Sequence, residues 1–377
     1  MNSATKAHVR IIYVVNQPAF FVSHRMALAR RARDEGYDVS VITPAGLGVE
    51  IIQSAGFDWH PMRFDAGGMN PLRDFVTFLD LLSLFRRLKP AIVHNVTIKP
   101  VLYGTFAARL AGIPRVINAV SGLGYLFTGQ RVMVRLLAIT LYRLLMRHPN
   151  MRVILQNRED MAQFRHYHLA PSLSLCLIRG SGVDVSNFSP CQARSGPPIV
   201  MQVSRMVGDK GIREFVAAAA MVHATHPQTR FLLVGPLYPG NPSALSEDEL
   251  RRAEKEGHVT WLGPRSDIAD LLAQAHVFCL PSYREGLPKA LLEAGASGLP
   301  SVTTDTSGCR EVIRSGVNGL LVPVGNVSAL AEAIIWLLDE PEESRIMGMR
   351  ARKEVEQYFS LDRIIEAQMA LYREVGA

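Results

Sequence analysis

Short apolar runs alternate with stretches of helical periodicity along nearly the whole chain. The first half contains the runs VRIIYVV, YDVSVIT, PAIVHNV, PRVINAV and MRVILQN, and the segments between them place apolar residues every three or four positions. The second half repeats the pattern with IVMQVS, TRFLLVG, HVTWLG, HVFCLP and PSVTT. Strands that alternate with helices predict parallel βαβ units, and therefore an α/β protein.

A segment rich in Gly, Ser and Pro, residues 179–198, interrupts this alternation. A chain of 377 residues is also too long for one ordinary core. We therefore expect two doubly wound, Rossmann-like domains in tandem, residues 1–185 and 186–360, facing each other across a cleft that binds ligands. The C-terminal helix, residues 361–377, is expected to join the first domain.

Cysteine usage and hydropathy indicate the compartment. The four cysteines are scattered without a C-x-x-C pair, which is typical of a reducing compartment and disfavours a zinc site. No signal-like segment opens the chain, and no apolar run reaches the length of a membrane span. These features predict a cytosolic protein.

The charge is distributed unevenly. Residues 1–185 hold 22 Lys and Arg against 11 Asp and Glu, whereas the rest of the chain is slightly acidic. A basic half favours an anionic partner, which is a nucleic acid, an anionic membrane surface or a phosphorylated substrate. A simple surplus of surface arginine is the alternative.

Two motifs in the second half follow predicted strands. VSRMVGDKG, residues 203–211, places Arg205 and Lys210 in a loop at the carboxyl end of a strand, where two cations suit a diphosphate. SYREGLPKALLEAG, residues 282–295, places Glu285 just before a helix and Glu293 within it.

The second motif combines an anion site with two carboxylates. Gly286, Leu287 and Pro288 lie at the expected helix start, with Pro288 in the first turn, and free N–H groups there bind anions. Glu285 would then reach a sugar beyond the phosphates, and Glu293 the vicinal diol of another. The arrangement suits a nucleotide diphosphate sugar. In the alternative interpretation, Glu293 faces solvent and Glu285 only complements the helix dipole.

Several motifs are absent from the chain. Without D-x-D there are no obvious ligands for a metal on the diphosphate, so we expect no metal and no other cofactor. SGLGYLFTG lacks the third glycine of a dinucleotide-binding turn, and neither G-x-S-x-G nor H-E-x-x-H occurs.

The motif with Arg205 and Lys210, followed by the motif with Glu285 and Glu293, resembles glycosyltransferase family 4, which has the two-domain GT-B fold. The resemblance implies that Arg205 and Lys210 bind the nucleotide diphosphate of a UDP-sugar and that Glu285 and Glu293 contact the donor sugar and ribose. It also implies a retaining reaction, in which front-face attack is assisted by the donor phosphate.

A finer resemblance connects the chain with bacterial transferases that add N-acetylhexosamine to undecaprenyl-diphosphate-linked sugars. It rests on FFVSHRMALA, SGLGYLF, GIREF and LGPRSDIADLL, and it implies Arg265 as a further donor-binding residue. His94, Lys99 and His24 are the candidates for a catalytic residue on the acceptor side, with a purely structural role as the alternative for each. The family pattern H-x-H is incomplete, because Val96 occupies the second position.

A basic amphipathic segment, residues 130–147, offers a contact with the membrane that would carry such an acceptor. Its cations are confined to about half the helical circumference, with apolar residues opposite. These cations are Arg131, Arg135, Arg143 and Arg147. A helix that packs on the core and keeps its arginines in water fits the pattern equally well.

The sequence thus predicts a retaining, metal-independent glycosyltransferase, peripheral on the inner face of the plasma membrane. Its partners would be a nucleotide sugar, a polyprenyl-diphosphate-linked sugar acceptor and anionic lipid. The alternatives are a nucleotide-sugar epimerase of the same fold and a non-catalytic nucleotide-sugar-binding subunit. No nucleic-acid-binding module matches the chain, so a nucleic-acid partner is not expected.

Overall fold

The computed structural model describes residues 9–64, 70–122, 132–190 and 196–374. By its internal contacts the chain divides into two compact units. Unit 1 comprises Met1–Ser181 and Ile364–Ala377, and unit 2 comprises Gly182–Arg363. The chain therefore leaves unit 1, completes unit 2 and returns to unit 1.

A parallel sheet forms the centre of unit 1. Among the described residues its strands are, in chain order, β1 (Arg10–Val15), β2 (Asp38–Thr43), β3 (Asp58–Pro61), β4 (Ile92–Val96), β5 (Arg115–Val120), β6 (Met151–Leu155) and β7 (Leu175–Leu177). Their order across the sheet is β3-β2-β1-β4-β5-β6-β7. The direction of winding reverses between β1 and β4, which makes their carboxyl ends the switch point where doubly wound sheets bind ligands.

The helices of unit 1 cover both faces of this sheet. They are α1 (Pro18–His24), α2 (Met26–Asp34), α3 (Val49–Ser54), α4 (Pro71–Leu88), α5 (Thr105–Leu110), α6 (Val132–Leu145) and α7 (Arg158–His166), and a π-helical turn, Pro100–Gly104, precedes α5. The periodicity over residues 18–34 predicts one helix, but the backbone leaves the helical conformation at Arg25 (φ −130°, ψ −17°) and divides it in two.

Unit 2 repeats the architecture with a smaller parallel sheet. The described strands are β8 (Ile199–Val203), β9 (Arg230–Val234), β10 (Thr260–Trp261), β11 (Val277–Leu280), β12 (Ser301–Thr304) and β13 (Leu320–Val322), in the order β10-β9-β8-β11-β12-β13. The helices are α8 (Ile212–His223), α9 (Glu247–Lys255), α10 (Ile268–Gln274), α11 (Lys289–Ala296), α12 (Ser307–Arg310), α13 (Val327–Asp339) and α14 (Pro341–Tyr358). Here the switch point lies between β8 and β11.

The C-terminal helix α15 (Leu361–Glu374) completes a core of unit 1. Met369 and Tyr372 of α15 are buried against Tyr13 and Phe21, which come from β1 and α1. The Tyr372 hydroxyl lies 2.7 Å from the Tyr13 hydroxyl, so a polar contact reinforces the apolar one. The last helix is thus an integral layer of the first unit.

Candidate active site

Two loops of unit 2 meet at the switch point between β8 and β11. The strands are adjacent and parallel, with Val277 of β11 aligned with Val200 of β8. Loops 204–211 and 281–288 therefore leave the same edge of the sheet, next to each other. This places the two motifs singled out in the sequence side by side.

Lys210 and Glu285 form an ion pair between these loops. The Lys210 Nζ atom lies 2.5 Å from the Glu285 Oε1 atom, and only 9% of the Glu285 side chain is exposed. Gly211, at φ +69°, permits the close approach, because a Cβ atom there would overlap the carbonyl oxygen of Pro281. A predicted phosphate-binding cation and a predicted sugar-binding carboxylate thus share one site.

Further contacts lock the two loops together. The backbone N–H of Tyr283 donates to the Asp209 carbonyl at 2.9 Å, and the Arg284 guanidinium pairs with the Asp209 carboxylate at 2.9 Å. The Tyr283 hydroxyl donates to Glu214 of α8 at 2.7 Å. The Lys210–Glu285 pair is therefore flanked by contacts that join the two loops and α8.

A third loop, after β12, supports the same site and was not found from the sequence. Gly308 of α12 packs directly on the backbone of Glu285 and Gly286, since a Cβ atom there would lie 2.6 Å from both carbonyl oxygens. Beside it, burial and the nearby Glu285 carboxylate raise the pKa of the Cys309 thiol to about 11. The Thr-Ser-Gly sequence after a predicted strand was the available signal.

The helix that carries Glu293 begins one residue later than predicted. Pro288 is extended (φ −74°, ψ 113°) and caps α11, so the prediction that it occupies the first helical turn is wrong. Leu287 packs partly against the core of unit 2. The helix start still follows directly on Gly286 and the Glu285 site.

Glu293 is largely buried on α11, which contradicts the interpretation that it faces solvent. Its side chain is 18% exposed, and its Oε1 atom lies 3.4 Å from the Lys289 Nζ atom one helical turn earlier. Burial raises the pKa of Glu293, and the Lys289 ammonium only partly opposes this. A carboxylate held in such a position is suited to accept hydrogen bonds from a ligand.

The two remaining predicted donor-binding cations have different surroundings. Arg205 is exposed in the same loop as Lys210, with its guanidinium 4.5 Å from the centre of the Tyr238 ring. Arg265 follows β10 and makes a two-pronged pair with Asp267, at 2.8 and 2.5 Å. Arg205 thus lies in the same loop as Lys210, whereas the guanidinium of Arg265 is paired with the Asp267 carboxylate.

The predicted acceptor-side residues lie in unit 1. His94 is fully buried in β4, where its Nδ1 atom lies 2.6 Å from the Tyr372 hydroxyl, and burial with the Arg25 charge lowers its pKa well below the usual value. Lys99, just after β4, pairs with Asp74 of α4 at 2.8 Å. His24 stacks on Phe20, with ring centres 4.1 Å apart. Lys99 alone of the three follows directly on the carboxyl end of a central strand.

Helix α6 packs one face on the core of unit 1, and its contact with a membrane stays a prediction. Tyr142 and Met146 are buried, whereas Leu144 is exposed beside the arginines. Arg135 is half-buried, Arg143 donates to the Tyr167 carbonyl at 2.9 Å, and Arg147 donates to the Arg143 carbonyl at 2.7 Å. Arg131 lies outside the described residues. One face of α6 is a core face, and the other presents both arginine and leucine.

The described ranges contain neither a membrane-spanning helix nor a cluster of metal ligands. None of the helices there has the length and apolar character needed to cross a membrane. No group of three or more His, Cys, Asp or Glu side chains in the same ranges is arranged to hold a metal ion.

Comparison with solved structures identifies the fold. The chain superposes on sucrose-phosphate synthase from Thermosynechococcus elongatus with a TM-score of 0.80 at 20% identity, covering 97% of this chain and 98% of that one. Anabaena HepE, solved in complex with UDP and glucose, gives 0.79 at 18% identity and covers 97% and 100%. The two Rossmann-like units of the chain therefore form the GT-B fold.

Family models match both halves of the chain. The model described as glycosyl transferase 4-like matches residues 10–157, and that described as glycosyl transferases group 1 matches residues 187–354. The chain therefore belongs to the family 4 type of glycosyltransferases, as the Glu285 and Glu293 motif predicted.

Curated relatives cover most of the chain. It is 28% identical over 366 residues to the N,N'-diacetylbacillosaminyl-diphospho-undecaprenol α-1,3-N-acetylgalactosaminyltransferase of Campylobacter jejuni, covering 93% of this chain and 95% of the relative. It is 24% identical over 314 residues to an Escherichia coli UDP-Gal:α-D-GlcNAc-diphosphoundecaprenol α-1,3-galactosyltransferase, covering 80% of each.

Proposed function

We propose that this glycosyltransferase moves a sugar, an N-acetylhexosamine, from a UDP-sugar to a polyprenyl-diphosphate-linked glycan with retention of configuration. The observation that carries the proposal is the Lys210–Glu285 pair at the switch point of unit 2. The names of the Campylobacter and Escherichia relatives support the donor and acceptor classes.

In this proposal, different residues of unit 2 bind different parts of the donor. Arg205, Lys210 and the start of α11 neutralise the diphosphate, which leaves as UDP. Glu285 contacts the transferring sugar, and Glu293 accepts hydrogen bonds from the ribose hydroxyls. Since these cations supply the positive charge, the reaction needs no metal. The acceptor hydroxyl attacks from the side of the leaving phosphate and passes its proton to that phosphate as the bond between the sugar and UDP breaks.

The location of the reaction follows from the acceptor. A lipid-linked glycan is held at a membrane, so the enzyme works as a peripheral protein on the cytoplasmic face of the inner membrane. The exposed Arg143 and Leu144 of α6, with the exposed Arg147 just beyond its end, support an interfacial contact with anionic lipid.

A panel of nucleotide sugars, each incubated with and without polyprenyl-diphosphate-linked mono- and disaccharides, tests the proposal. We expect UDP-N-acetylhexosamine to be consumed only in the presence of such an acceptor and the product to carry the new sugar. Equal release of UDP or of an epimerised sugar without acceptor would instead identify a nucleotide-sugar epimerase.

A further inference from the structure

Helix α4 of unit 1 presents an apolar stripe away from the core. Leu72, Phe75, Val76 and Leu79 recur at the spacing of one helix face, and 79, 59, 55 and 44% of each residue is exposed. The opposite face of the same helix fills the core with Leu81 and other residues. A contiguous exposed apolar face on a folded protein marks an interaction site.

The first half of the stripe forms one wall of an open cavity of about 1200 Å³. Leu72 and Val76 line it, together with Pro44, Met62 and Phe64. Pro44 follows β2 and Met62 follows β3, so the cavity lies at the carboxyl ends of the strands. That is the edge at which a doubly wound sheet binds its ligands.

The lining of this apolar cavity includes two arginine side chains. Arg63 and Arg73 line it, and neither makes an ion pair within the described part of the chain. Asp74, the neighbour of Arg73, is already neutralised by Lys99 at 2.8 Å. Asp80, the acidic residue at the cavity, lies about 10 Å further along α4 than Arg73, at 1.5 Å per residue.

We propose that this cavity binds the first isoprene units of a polyprenyl diphosphate, with Arg63 and Arg73 on the diphosphate. An apolar wall beside two arginines complements a ligand that joins a hydrocarbon chain to two phosphates. This inference rests on the proposed function, because it names how the acceptor lipid is recognised.

Two double variants on the same helix test the cavity. Leu72→Ser with Val76→Ser alters the cavity wall, whereas Phe75→Ser with Leu79→Ser alters the same stripe outside the cavity. Each is assayed with two acceptors that carry the same sugar diphosphate on a five-carbon or a fifteen-carbon isoprenoid chain.

We expect the wild type to prefer the longer chain by about tenfold or more in kcat/KM, because additional apolar carbons are buried. The cavity variant should lose most of this preference, because its activity on the long acceptor should fall much further than its activity on the short one. The control variant should keep both activities. Equal losses in the two variants would overturn the proposal and indicate that the whole stripe inserts into lipid.

Binding of farnesyl diphosphate, measured by calorimetry, separates this inference from the proposed function. Binding to the wild type that is lost in the cavity variant supports the cavity even if no sugar is transferred. Transfer with no preference for chain length overturns the cavity and leaves the function standing. Val76→Thr, which keeps the side-chain shape and adds a hydroxyl, gives a smaller change in the same direction if the double variant does not fold.

Discussion

Glu293 carries its charge in surroundings that disfavour it. Because burial raises its pKa, the folded protein holds the Glu293 proton more tightly than the unfolded chain does. Stability therefore falls as the pH rises through the interval between the ordinary and the raised pKa, and above that interval the carboxylate weakens the fold. A ligand that donates hydrogen bonds to the carboxylate would offset this cost.

Glu293→Gln should accordingly melt at a higher temperature than the wild type at pH 7 and lose this part of the pH dependence. UDP binding should weaken by about 1.5–3 kcal/mol, the scale of hydrogen bonds to a charged group. Melting scans from pH 4 to 8 and calorimetry with UDP measure the two effects. Glu332→Gln, an exposed change on α13, is the control. Unchanged UDP affinity would contradict the ribose assignment.

Glu285→Gln should instead reduce turnover. If Glu285 contacts the transferring sugar, loss of its charge lowers kcat by roughly 10- to 100-fold, the rate equivalent of one charged hydrogen bond. Calorimetry should show UDP binding within a few-fold of the wild type, since Lys210 keeps its charge. A variant with normal kcat and weakened UDP binding would show that Glu285 acts on the nucleotide.

For single residues, the sequence predicts which charged side chains form the site better than it predicts the backbone packing around them. Lys210 and Glu285 follow strands that had to end at one edge, so their proximity could be predicted. The contact of Gly308 with the Glu285 backbone could not be predicted. It requires β12 to lie beside β11, and it requires a residue without a Cβ atom so that two carbonyl oxygens can come close. The pair of Arg265 and Asp267 could not be predicted either, because a spacing of two residues in a loop does not show that the side chains meet.

The C-terminal helix α15 is attached to unit 1 by a buried polar cluster. Tyr372→Phe removes a hydroxyl that meets both Tyr13 and His94. Leaving buried polar groups unsatisfied costs about 1–3 kcal/mol, so we expect a clear fall in the melting temperature. Tyr358→Phe, at a half-exposed position on α14, should leave it unchanged. Equal melting temperatures in the two variants would contradict this account of the cluster.

Helix α6 provides a second test at the scale of one element. Replacing Arg135, Arg143 and Arg147 by Gln removes three charges worth about 1 kcal/mol each at an anionic surface. Sedimentation with phosphatidylglycerol vesicles should show at least about tenfold weaker binding, and the binding of the wild type should fall steeply with salt. Transfer to a short, water-soluble acceptor should persist.

The matched control removes the same number of charges from exposed positions of unit 2, by changing Arg230, Arg252 and Arg350 to Gln. It should leave vesicle binding near the wild-type level. If both triple variants bind vesicles equally, α6 is a core helix whose arginines are merely solvated.

Long elements were predicted well and short ones poorly. The amphipathic pattern of residues 72–88 predicts a helix, and the 18-residue α4 differs from it by one residue, because the periodicity is sustained over five turns. The edge strands β3 and β7 were missed, since Asp58–Pro61 is polar and Leu175–Leu177 is only three residues long. The break at Arg25 was missed as well, because the apolar period continues across it while the backbone does not.

At the scale of the whole molecule, the way in which the diphosphate charge is neutralised gives a testable prediction about metal dependence. If Arg205, Lys210 and the start of α11 provide the neutralising charge, transfer should proceed at an unchanged rate in the presence of EDTA. The assay compares initial rates with EDTA, with EDTA and excess Mg²⁺, and without addition. Loss of activity on chelation and its recovery with Mg²⁺ or Mn²⁺ would contradict the proposed division of roles.

The return of the chain to unit 1 has a consequence for biosynthesis. A ribosome releases residues 1–181 first, but the core that needs Met369 and Tyr372 stays open until the last helix emerges. At 5–20 residues per second, translation of the intervening unit takes roughly 10–40 s. Unit 2, which is continuous in sequence, can close during that interval. The nascent first unit therefore exposes apolar surface to chaperones longest, although it is made first.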